Sequence, residues 1–250
     1  MKITIITVCY NASSTIEETI KSVINQSYKN LEYIIIDGGS TDRTKEIIEN
    51  YKKIFPITYI SEKDNGIYDA MNKGVDLATG DYLNFMNADD YFFNETVVEE
   101  VVPFLNKQYD IVYGNMEVRY KNFKFIKNEP EPKYLWMGPV NHQSSFIKTS
   151  TMEKYKYNIS NKIVADFEFF LTVYYNSGKF LKINKTIASF SNNGISQKND
   201  KQVIRDCYSI LKKFNNSFIV KIYYKILILK ILLKKILPNF LFKFLRKISN

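Results

Sequence analysis

Two adjacent carboxylates, Asp89 and Asp90, follow the apolar run at residues 82–86 with only Asn87 and Ala88 between. Neighbouring like charges repel each other, and a buried carboxylate without a partner is costly. One explanation is a solvated turn in which both side chains face water. The other is a divalent cation held on a phosphate-bearing ligand, because a hard cation takes oxygen ligands and cancels the repulsion. The pair by itself leaves both explanations open.

A second group of polar residues follows another predicted strand. Asp64, Asn65 and Gly66 come immediately after an apolar run, and a glycine there lets the backbone approach a ligand closely. Asp69 and Asn72 fall in the first turns of the helix that the pattern predicts next. Because Asp and Asn also cap helices routinely, these residues fit either a ligand site or a helix start.

The elements that must position these side chains alternate between strand and helix. The pattern predicts strands at 3–8, 31–36, 57–60 and 82–86, separated by amphipathic helices. Ser14 and Glu17 predict a capping box at the start of the first helix. This alternation indicates βαβ units and a mostly parallel sheet.

Polar residues stand at three of the predicted strand ends. Tyr10 and Asn11 follow the first strand, Asp37 ends the second, and the Asp89–Asp90 pair follows the fourth. In parallel sheets, ligands bind beyond the carboxyl ends of the strands. The sequence therefore predicts a ligand site at this edge of the sheet.

The second half of the chain has a different pattern. Residues 110–115 and 116–126 alternate like strands of a mixed or antiparallel extension, and 142–148 predicts a further short strand. A helix begins near Asp166, and the segment at 179–191 predicts one or two strands. We find no internal repeat and no low-complexity linker before residue 206.

The composition sets broad limits. The chain has 250 residues, of which 45% are hydrophobic, enough for one large domain or two small ones. Its two cysteines, Cys9 and Cys207, provide no disulfide framework, which favours a reducing compartment. The sequence begins with a strand-like run that has neither the charged leader nor the cleavage site of a signal peptide. We therefore expect a cytoplasmic protein.

The net charge of +9 is unevenly distributed. After Asp206 every charged residue is Lys or Arg, whereas the chain up to that point is nearly neutral. A nucleic-acid-binding domain would need a basic face on its folded body. The distribution argues against a nucleic-acid partner and identifies a separate basic tail.

Four segments together resemble a known family. "TVCYN", "IIIDGGSTDRT", "DNGIYDAMNKG" and "NADD", in this order and spacing, are similar to the N-terminal half of family 2 glycosyltransferases, which have the GT-A fold. The resemblance is strong over residues 1–95 and weaker over 96–195. It implies a Rossmann-like, mostly parallel central sheet with helices on both faces, a mixed acceptor-side half and a C-terminal helical tail. The sub-pattern "GIYDAMNKG…NADD" resembles bacterial enzymes that build surface polysaccharides such as O-antigen or capsule.

The resemblance also implies a reaction and a division of the chain. The reaction is an inverting, metal-dependent transfer of a hexosyl or N-acetylhexosaminyl group from a UDP- or dTDP-sugar to a hydroxyl of a lipid-linked glycan. The catalytic domain would cover residues 1–205, with a nucleotide-sugar half at 1–95 and an acceptor half at 96–205. A basic amphipathic helical region would follow at 206–250.

Donor-binding residues can be assigned by the same resemblance. Thr7 and Tyr10 match positions that line the base and ribose, and Asp64 matches a second acidic position near the base. Asp37 matches the carboxylate that reads the pyrimidine ring, for which it is a suitable acceptor of the N3–H. The implied nucleotide-sugar site comprises Thr7, Tyr10, Asn11, Asp37, Asp64, Gly66, Asn72, Asn87 and Asp89.

The acidic pair matches the family's metal motif. Asp89 and Asp90 would hold Mn²⁺ or Mg²⁺ on the donor diphosphate, with Asp89 as the primary ligand and Asp90 as the second. The sequence departs from the fullest form of the motif, Asp-x-Asp-Asp, because Asn87 occupies its first position. An amide oxygen can orient ribose or a metal-bound water, but it supplies less charge, so we expect a modest metal affinity.

Inversion also needs a base that takes the proton of the acceptor hydroxyl. Asp166 matches the place of the family's catalytic carboxylate, and Glu168 is the fallback; an Asp at a helix start can also be an N-cap. His142, the only histidine, could contact the donor phosphate, the acceptor or the metal, or have a structural role. The segment at 191–199 resembles a loop that closes over the donor, or is a simple surface loop.

The basic tail mixes apolar residues with Lys every few positions. No stretch long enough to span a bilayer is free of charge. After Pro238 the charged residues share one predicted helical face, as in an interfacial helix. Such a tail suits peripheral attachment to the anionic cytoplasmic leaflet of the membrane. The alternative is a helical pair packed on the catalytic domain or on a second subunit of a homo-oligomer.

Other functions are less consistent with the sequence. A nucleotidyltransferase needs a Gly-rich, Arg-containing loop after the first strand, and a dinucleotide-dependent oxidoreductase needs G-x-G-x-x-G there; "CYNASST" is neither. A catalytically inactive sugar-nucleotide-binding or scaffold protein of the same fold is the remaining alternative. The aspartates assigned above argue against it, whereas Asn87 leaves room for it.

Overall fold

A computed structural model describes residues 1–138, 140–192, 200–215 and 217–236. The chain divides into two compact units, Met1–Asn193 and Gly194–Asn250. The division comes earlier in the chain than the boundary at 205 that the sequence predicted.

One sheet organises the first unit. Its strands in chain order are β1 (Ile3–Cys9), β2 (Leu31–Asp37), β3 (Ile57–Ser61), β4 (Tyr82–Phe85), β5 (Tyr91–Phe92), β6 (Ile111–Arg119), β7 (Lys124–Lys127), β8 (Ser145–Lys148) and β9 (Phe180–Ser191). They lie side by side in the order β3-β2-β1-β4-β8-β6-β9-β5, and β7 pairs with β6. Six helices accompany the described part of this sheet: α1 (Ile16–Ile24), α2 (Thr44–Lys52), α3 (Ile67–Leu77), α4 (Val97–Val101), α5 (Thr149–Tyr155) and α6 (Ala165–Tyr175).

The first four strands form the predicted parallel half. β1 is parallel to both of its neighbours, β2 and β4, and every residue of β1 is buried, as its uninterrupted apolar run requires. The register pairs Cys9 with Asp37, and the Ala88 N–H donates to the carbonyl of Val8 at 3.2 Å. The carboxyl ends of β1, β2 and β4 therefore meet at one edge of the sheet, as predicted.

The remaining strands confirm the predicted mixed half. β8 is antiparallel to β4 and to β6, whereas β9 is parallel to β6 and antiparallel to β5. β8 thus joins the parallel half to the mixed half. It also brings the residues just before it, His142 to Ser144, to the end of β4.

Helix α3 packs unusually close to β1. A Cβ atom on Gly74 would lie 2.5 Å from Cγ2 of Ile6, well inside van der Waals contact. The glycine therefore sets the distance between the helix and the strand. Since α3 begins at the site edge of the sheet, this distance also fixes where its first turn stands.

Several local expectations are wrong. Helix α1 begins at Ile16 with Thr15 as its N-cap, and no side chain caps it, so the Ser14–Glu17 capping box does not form. The strand expected at 142–148 starts only at Ser145, because a 3-10 turn occupies His142–Ser144. The sequence did not predict β5, α4 and α5, which are too short to show a clear hydrophobic period.

The second unit contains helices α7 (Asp200–Phe214) and α8 (Phe218–Ile236). They contact each other through the rings of Tyr208 and Tyr224, whose centroids are 5.3 Å apart. None of the helices that the structure describes is long and apolar enough to cross a membrane. The expected donor-covering loop, apart from its first two residues, and the expected interfacial helix after Pro238 lie outside the described residues.

Candidate active site

Asp89 occupies a strained backbone position just beyond β4. Its φ of 88° lies in the left-handed region, which a non-glycine residue adopts at a cost of about 1–3 kcal/mol and mostly at functional sites. The backbone is held there by its N–H, which donates to Thr19 Oγ1 at 3.2 Å, and by Arg119, which donates to its carbonyl. Among the described residues no hydrogen bond engages the Asp89 carboxylate, which is partly exposed. The strained loop therefore leaves this carboxylate partly exposed and able to accept a ligand.

Asp90 has the opposite environment. It is buried, its Oδ2 accepts a hydrogen bond from Gln143 Nε2 at 2.8 Å, and its Oδ1 accepts one from the Ser191 N–H at 2.9 Å. Burial and the neighbouring charge of Asp89 raise its pKa to about 6, against the opposing effect of these two hydrogen bonds. Both carboxylate oxygens of Asp90 therefore already accept hydrogen bonds from the protein. This differs from the expected role of Asp90 as a second metal ligand.

A hydrogen-bonded chain connects the metal motif to the expected base. The Asn87 Nδ2 lies 2.9 Å from His142 Nε2, and His142 Nδ1 lies 3.4 Å from Asp166 Oδ2. Since a carboxylate can only accept, Nδ1 carries the imidazole proton and the Asn87 amide donates to Nε2. The Asn87 Oδ1 is then a buried acceptor without a partner in the described structure. His142 therefore lies between Asn87 of the metal motif and Asp166, the expected base.

Asp166 is held by its other oxygen. Oδ1 accepts from the Phe167 N–H at 2.8 Å and lies 3.2 Å from the Tyr68 hydroxyl, whose single proton is shared with the Ile163 carbonyl at 2.9 Å. Burial and the Asp166 charge raise the pKa of Tyr68 well above its usual value, so the phenol stays a donor. Val164, not Asp166, is the N-cap of α6. With Oδ1 occupied, Oδ2 has only the long contact to His142 within the described structure, so it keeps the capacity to accept a further hydrogen bond.

A second group of residues surrounds the space that Gly38 leaves at the ends of β1 and β2, which we call the Gly38 recess. Tyr10 is 63% exposed, and a Cβ on Gly38 would lie 3.4 Å from the Tyr10 ring and 3.0 Å from Asp64 Oδ2. The other oxygen of Asp64 pairs with Lys73 Nζ at 2.7 Å. Gly38 thus lets an aromatic ring and a carboxylate oxygen stand close to the same point of the backbone. The ring offers a face for stacking, and the oxygen offers an acceptor for an N–H donor.

Asp37 does not face the Gly38 recess. Its carboxylate is fully buried and accepts hydrogen bonds from Ser61 Oγ at 2.7 Å, Tyr59 Oη at 3.2 Å, the Ser40 N–H at 3.0 Å and the Ser40 hydroxyl. Burial and the Asp37 charge raise the pKa of the nearby Cys9 thiol, so this cysteine is not a nucleophile. The expected contact between Asp37 and a pyrimidine is not available in this arrangement, because its acceptor positions are already used.

Three other expected donor ligands have structural partners. The Thr7 hydroxyl is buried and donates to the Met86 carbonyl at 2.7 Å. Asn72 bonds the backbone of Tyr157 with both ends of its amide, at 2.8 and 2.9 Å. Asn11 Oδ1 accepts from the Thr41 N–H at 2.9 Å. These hydrogen bonds hold the loops around the site, and the expected donor contacts of the three residues stay predictions.

The last two expected residues differ in role. Gly66, with φ of 120°, starts α3 in a conformation that favours glycine, so it turns the chain at the mouth of the site. Glu168 accepts hydrogen bonds from Asn158 and Asn161, at 3.1 and 3.4 Å, and so holds the loop before α6. That use leaves Asp166 as the better candidate for the base.

Sequence reasoning missed three residues that the structure brings into the site. Tyr68 bonds Asp166, Gln143 bonds Asp90, and Arg119 contacts the Asp89 loop with its guanidinium 4.0 Å above the Tyr91 ring. Tyr68 and Gln143 adjoin segments already singled out, so their positions were a usable signal. Arg119 ends an ordinary strand and gives no signal.

The described residues include no cluster of three His, Cys, Asp or Glu side chains that could hold a metal ion. Among the described residues of the site, the oxygen groups without a hydrogen bond include the Asp89 carboxylate, Asn87 Oδ1 and Gln143 Oε1. Mg²⁺ is commonly held by one or two carboxylates together with waters and substrate phosphates. The donor set therefore fits a cation that the protein shares with a bound diphosphate.

Comparison with known proteins agrees with this architecture. The sequence model of Glycosyl transferase family 2 matches residues 4–174, more than half of the chain. A PGL/p-HBAD biosynthesis glycosyltransferase of Mycobacterium bovis is 28% identical over 190 residues, which cover 74% of each chain. The glycosyltransferase GlyA of Streptococcus pneumoniae is 33% identical over 118 residues, which cover 46% of this chain and 16% of GlyA.

Solved structures share the fold. S. aureus TarS 1–349 in complex with UDP-GlcNAc matches with a TM-score of 0.68 over 91% of this chain and 70% of that chain, at 16% identity. In another TarS structure the match covers 43% of the TarS chain. The mannosyltransferase PcManGT of Pyrobaculum calidifontis, in complex with GDP-Man and Mn²⁺, has a TM-score of 0.69 over 90% of this chain and 68% of its own, at 15% identity.

These matches confirm the predicted GT-A fold, and the family match covers both the strained Asp89 loop and Asp166. The protein is a glycosyltransferase, and it belongs to family 2.

Proposed function

We propose that this enzyme transfers a sugar from a UDP- or dTDP-sugar to a hydroxyl of a lipid-linked glycan, with inversion at the anomeric carbon. The observation that carries the proposal is the chain of contacts from Asn87 through His142 to Asp166. It links a loop suited to the donor diphosphate with a carboxylate suited to the acceptor hydroxyl.

Asp166 would act as the base. Its Oδ2 accepts the proton of the acceptor hydroxyl as that oxygen attacks the anomeric carbon, and the bond from this carbon to the phosphate oxygen breaks on the opposite face. The electron pair of that bond leaves with the nucleoside diphosphate. Tyr68 and His142 orient Asp166 through its two oxygens, so that the carboxylate does not need to reorganise during the step.

The leaving group requires positive charge. Asp89, together with the donor's own oxygens, would hold Mn²⁺ or Mg²⁺, which offsets the charge that develops on the departing diphosphate. Asn87 Oδ1, buried and without a partner, is the second protein oxygen suited to this site. Arg119 adds a fixed positive charge beside the same loop.

The Gly38 recess, between Tyr10 and Asp64, would hold the pyrimidine. Tyr10 offers an exposed ring for stacking, and Asp64 Oδ2 offers an acceptor for the N3–H of uracil or thymine. This moves the base-reading role from Asp37, as expected from the sequence, to Asp64. TarS has been solved with UDP and with UDP-GlcNAc, which supports a uridine donor; PcManGT was solved with GDP-Man and shows that the fold also admits a purine.

The second unit supports a lipid-borne acceptor and peripheral attachment to the inner face of a bacterial membrane. Exposed apolar residues recur along α8 at helical spacing: Phe218, Ile219, Ile222, Ile226 and Leu229. All charged residues after Asp206 are basic, so this stripe would suit an anionic bilayer. The acceptor would then be a growing surface polysaccharide carried on a lipid diphosphate.

A catalytically inactive scaffold is the second candidate. Two observations favour it. Asn87 replaces the first carboxylate of the metal motif, and both carboxylate oxygens of Asp90 accept hydrogen bonds from protein groups. Such a protein would bind a nucleotide without turning over its sugar donor.

Calorimetry and turnover measurements distinguish the active enzyme from the inactive scaffold. We would titrate UDP, dTDP and GDP into the purified chain with Mn²⁺ and again with EDTA, then follow UDP or dTDP release from the matching sugar donors. We expect metal-dependent binding of UDP or dTDP, lost in Asp89→Asn and retained in Asp166→Asn, with turnover about 10²–10⁴-fold slower in Asp166→Asn. Binding with equal, negligible turnover in wild type and Asp166→Asn would favour the scaffold.

A further inference from the structure

The β6–β7 hairpin carries an exposed aromatic group outside the site described above. Residues 119–127 run from the end of β6 through a tight turn, closed by the Tyr120 N–H donating to the Phe123 carbonyl at 2.8 Å, into β7. Tyr120, Phe123 and Phe125 are 41%, 59% and 45% exposed, and Ile126 is exposed as well. A contiguous exposed apolar group of this kind marks an interaction surface.

The rings are arranged as a small stack. Tyr120 and Phe123 lie almost parallel, with an interplanar angle of 7° and centroids 4.5 Å apart, and Phe125 lies within 6.4 Å of both. Tyr120 and Phe123 therefore cover one face of each other, which leaves less open ring face than two isolated rings would have. A sugar ring stacks on an open aromatic face, whereas exposed apolar rings can enter an apolar medium in any orientation. The geometry favours an apolar medium over a glycan.

The charges of the hairpin are all of one sign. Arg119, Lys121, Lys124 and Lys127 lie among the aromatic residues, and segment 119–127 contains no acidic residue. Lys124 and Lys127 pair with the buried Glu117 and Glu129, which leaves a net positive surface. Lysines on an edge strand can simply prevent strand addition, but exposed aromatic rings do not serve that purpose. Basic side chains around apolar ones are typical of a surface that meets anionic lipid headgroups.

The base of the hairpin is fixed to the active site. Arg119, its first residue, donates to the carbonyl of Asp89 and lies over the Tyr91 ring. Tyr120 follows directly, so the aromatic group begins one residue from a side chain in contact with the metal motif. A surface that engages the hairpin would therefore lie next to the mouth of the site.

We propose that the β6–β7 hairpin is a membrane-docking element of the catalytic unit, in which Tyr120, Phe123 and Phe125 enter the interface of an anionic bilayer and the lysines contact its phosphates. This inference rests on the proposed function, since docking at this edge would bring the site to a lipid-borne acceptor. It is separate from the basic tail, because it assigns membrane contact to the unit that performs the chemistry.

The test is co-sedimentation of the full chain with vesicles. The vesicles are phosphatidylglycerol mixed with phosphatidylcholine, or phosphatidylcholine alone. We expect wild type to bind the anionic vesicles preferentially. Phe123→Ser/Phe125→Ser and Lys121→Glu/Lys124→Glu should each weaken that binding about 10-fold, since each removes buried apolar area or reverses charge at the headgroups.

A matched control changes a lysine and an apolar residue on another exposed surface of the chain. Lys53→Glu/Ile54→Ser changes one exposed lysine and one exposed apolar residue, Ile54 being 72% exposed, at the end of α2. This variant should bind vesicles like wild type. If the hairpin variants bind like the control, or if wild type does not prefer anionic vesicles, the proposal is overturned.

Insertion can be observed directly. Phe123→Trp should show a blue-shifted emission and quenching by brominated lipids when anionic vesicles are added, whereas Ile54→Trp should show neither; a Phe123→Trp spectrum that stays unchanged contradicts the proposal. UDP titration of every variant distinguishes a failure of membrane docking from a failure of the proposed donor site. Hairpin variants that bind UDP like wild type are folded, and failure of wild type to bind any nucleotide would count against the donor site alone.

Discussion

β2 and β4 end at the same edge of the sheet, and at or just beyond the end of each lies an aspartate that the family resemblance assigns to the donor. Asp37 is buried among four hydrogen-bond donors, whereas Asp89 has a strained backbone and a carboxylate without a partner in the described structure. The difference shows that the role of a carboxylate follows from the donors already around it. A saturated carboxylate holds a loop, and an unsaturated one at a strained position can hold a ligand.

The largest effect on turnover should come from a substitution of Asp89, the carboxylate without a hydrogen-bond partner in the described structure. Asp89→Asn keeps the side-chain shape and a residue type that tolerates positive φ, but it removes the charge that faces the diphosphate. We expect turnover to fall about 10²–10³-fold, with an unchanged urea midpoint. A matching loss of stability would mean that Asp89 also braces the loop, and would weaken the comparison.

Asp90 sharpens the contrast within the acidic pair itself. Asp90→Ala leaves Gln143 and the Ser191 N–H without an acceptor, and we expect it to lose about 1–3 kcal/mol of stability. Asp90→Asn keeps one acceptor, and Gln143 can turn its unpaired Oε1 toward the new amide. We therefore expect Asp90→Asn to stay folded and to retain most of its metal-dependent UDP binding, measured by calorimetry. Equal loss of binding in both variants would restore Asp90 as a metal ligand.

Asp37→Asn tests the carboxylate whose acceptor positions the protein already fills. The amide replaces charge-assisted acceptance from Ser40, Tyr59 and Ser61 by weaker neutral bonds, so the free energy of unfolding should fall by about 1–2 kcal/mol. Affinity for UDP should change much less than in the matched variant Asp64→Asn. Urea denaturation and calorimetry on the same two proteins provide the check, and the reverse order would return the base-reading role to Asp37.

Glu32 offers a milder test at the opposite end of the sheet. Partial burial alone would raise its pKa, but hydrogen bonds from Lys2, Thr4 and Thr79 lower the pKa of Glu32 to about 2. Its stabilising effect should be fully present above the ordinary glutamate value of about 4.5 and disappear as the pH falls toward 2.

We expect Glu32→Gln to cost about 1 kcal/mol at pH 7, after allowance for its exposure to solvent. The difference from wild type should vanish near pH 2, and urea midpoints measured across this range would show it. A difference that does not depend on pH would indicate lost packing rather than lost charge. Catalytic turnover should not change, because this carboxylate lies away from the site edge.

The fold was largely readable from the sequence. Uninterrupted apolar strands, amphipathic helices and glycine-containing turns are local signals, and they predicted the parallel half and its ligand edge. The elements that were missed or misplaced, such as β5, α4 and the turn before β8, are too short for a hydrophobic period to form. Their positions depend on pairing with residues far away in the chain.

The candidate site was readable only in part. Acidic residues at strand and helix ends are visible locally, and together with the family resemblance they singled out Asp89 and Asp166, whose roles stay predictions. It could not separate Asp89 from Asp37 or Asp90, because the donors that saturate the latter two come from elsewhere: Ser61 from β3, Gln143 from the turn before β8, and Ser191 from the end of β9. The role of His142 likewise depends on two contacts made at long sequence separation.

The close approach at Gly74 has a consequence for how this enzyme tolerates mutation. A single methyl group there would collide with Ile6 and push α3 away from the sheet. The same helix carries Tyr68, whose hydroxyl holds Asp166, about two turns toward its N-terminus. Gly74→Ala would thus misalign the proposed base from a position that touches neither substrate nor metal. In a mutational scan such a variant would count as a loss of activity, although its defect is one of spacing between a helix and a strand.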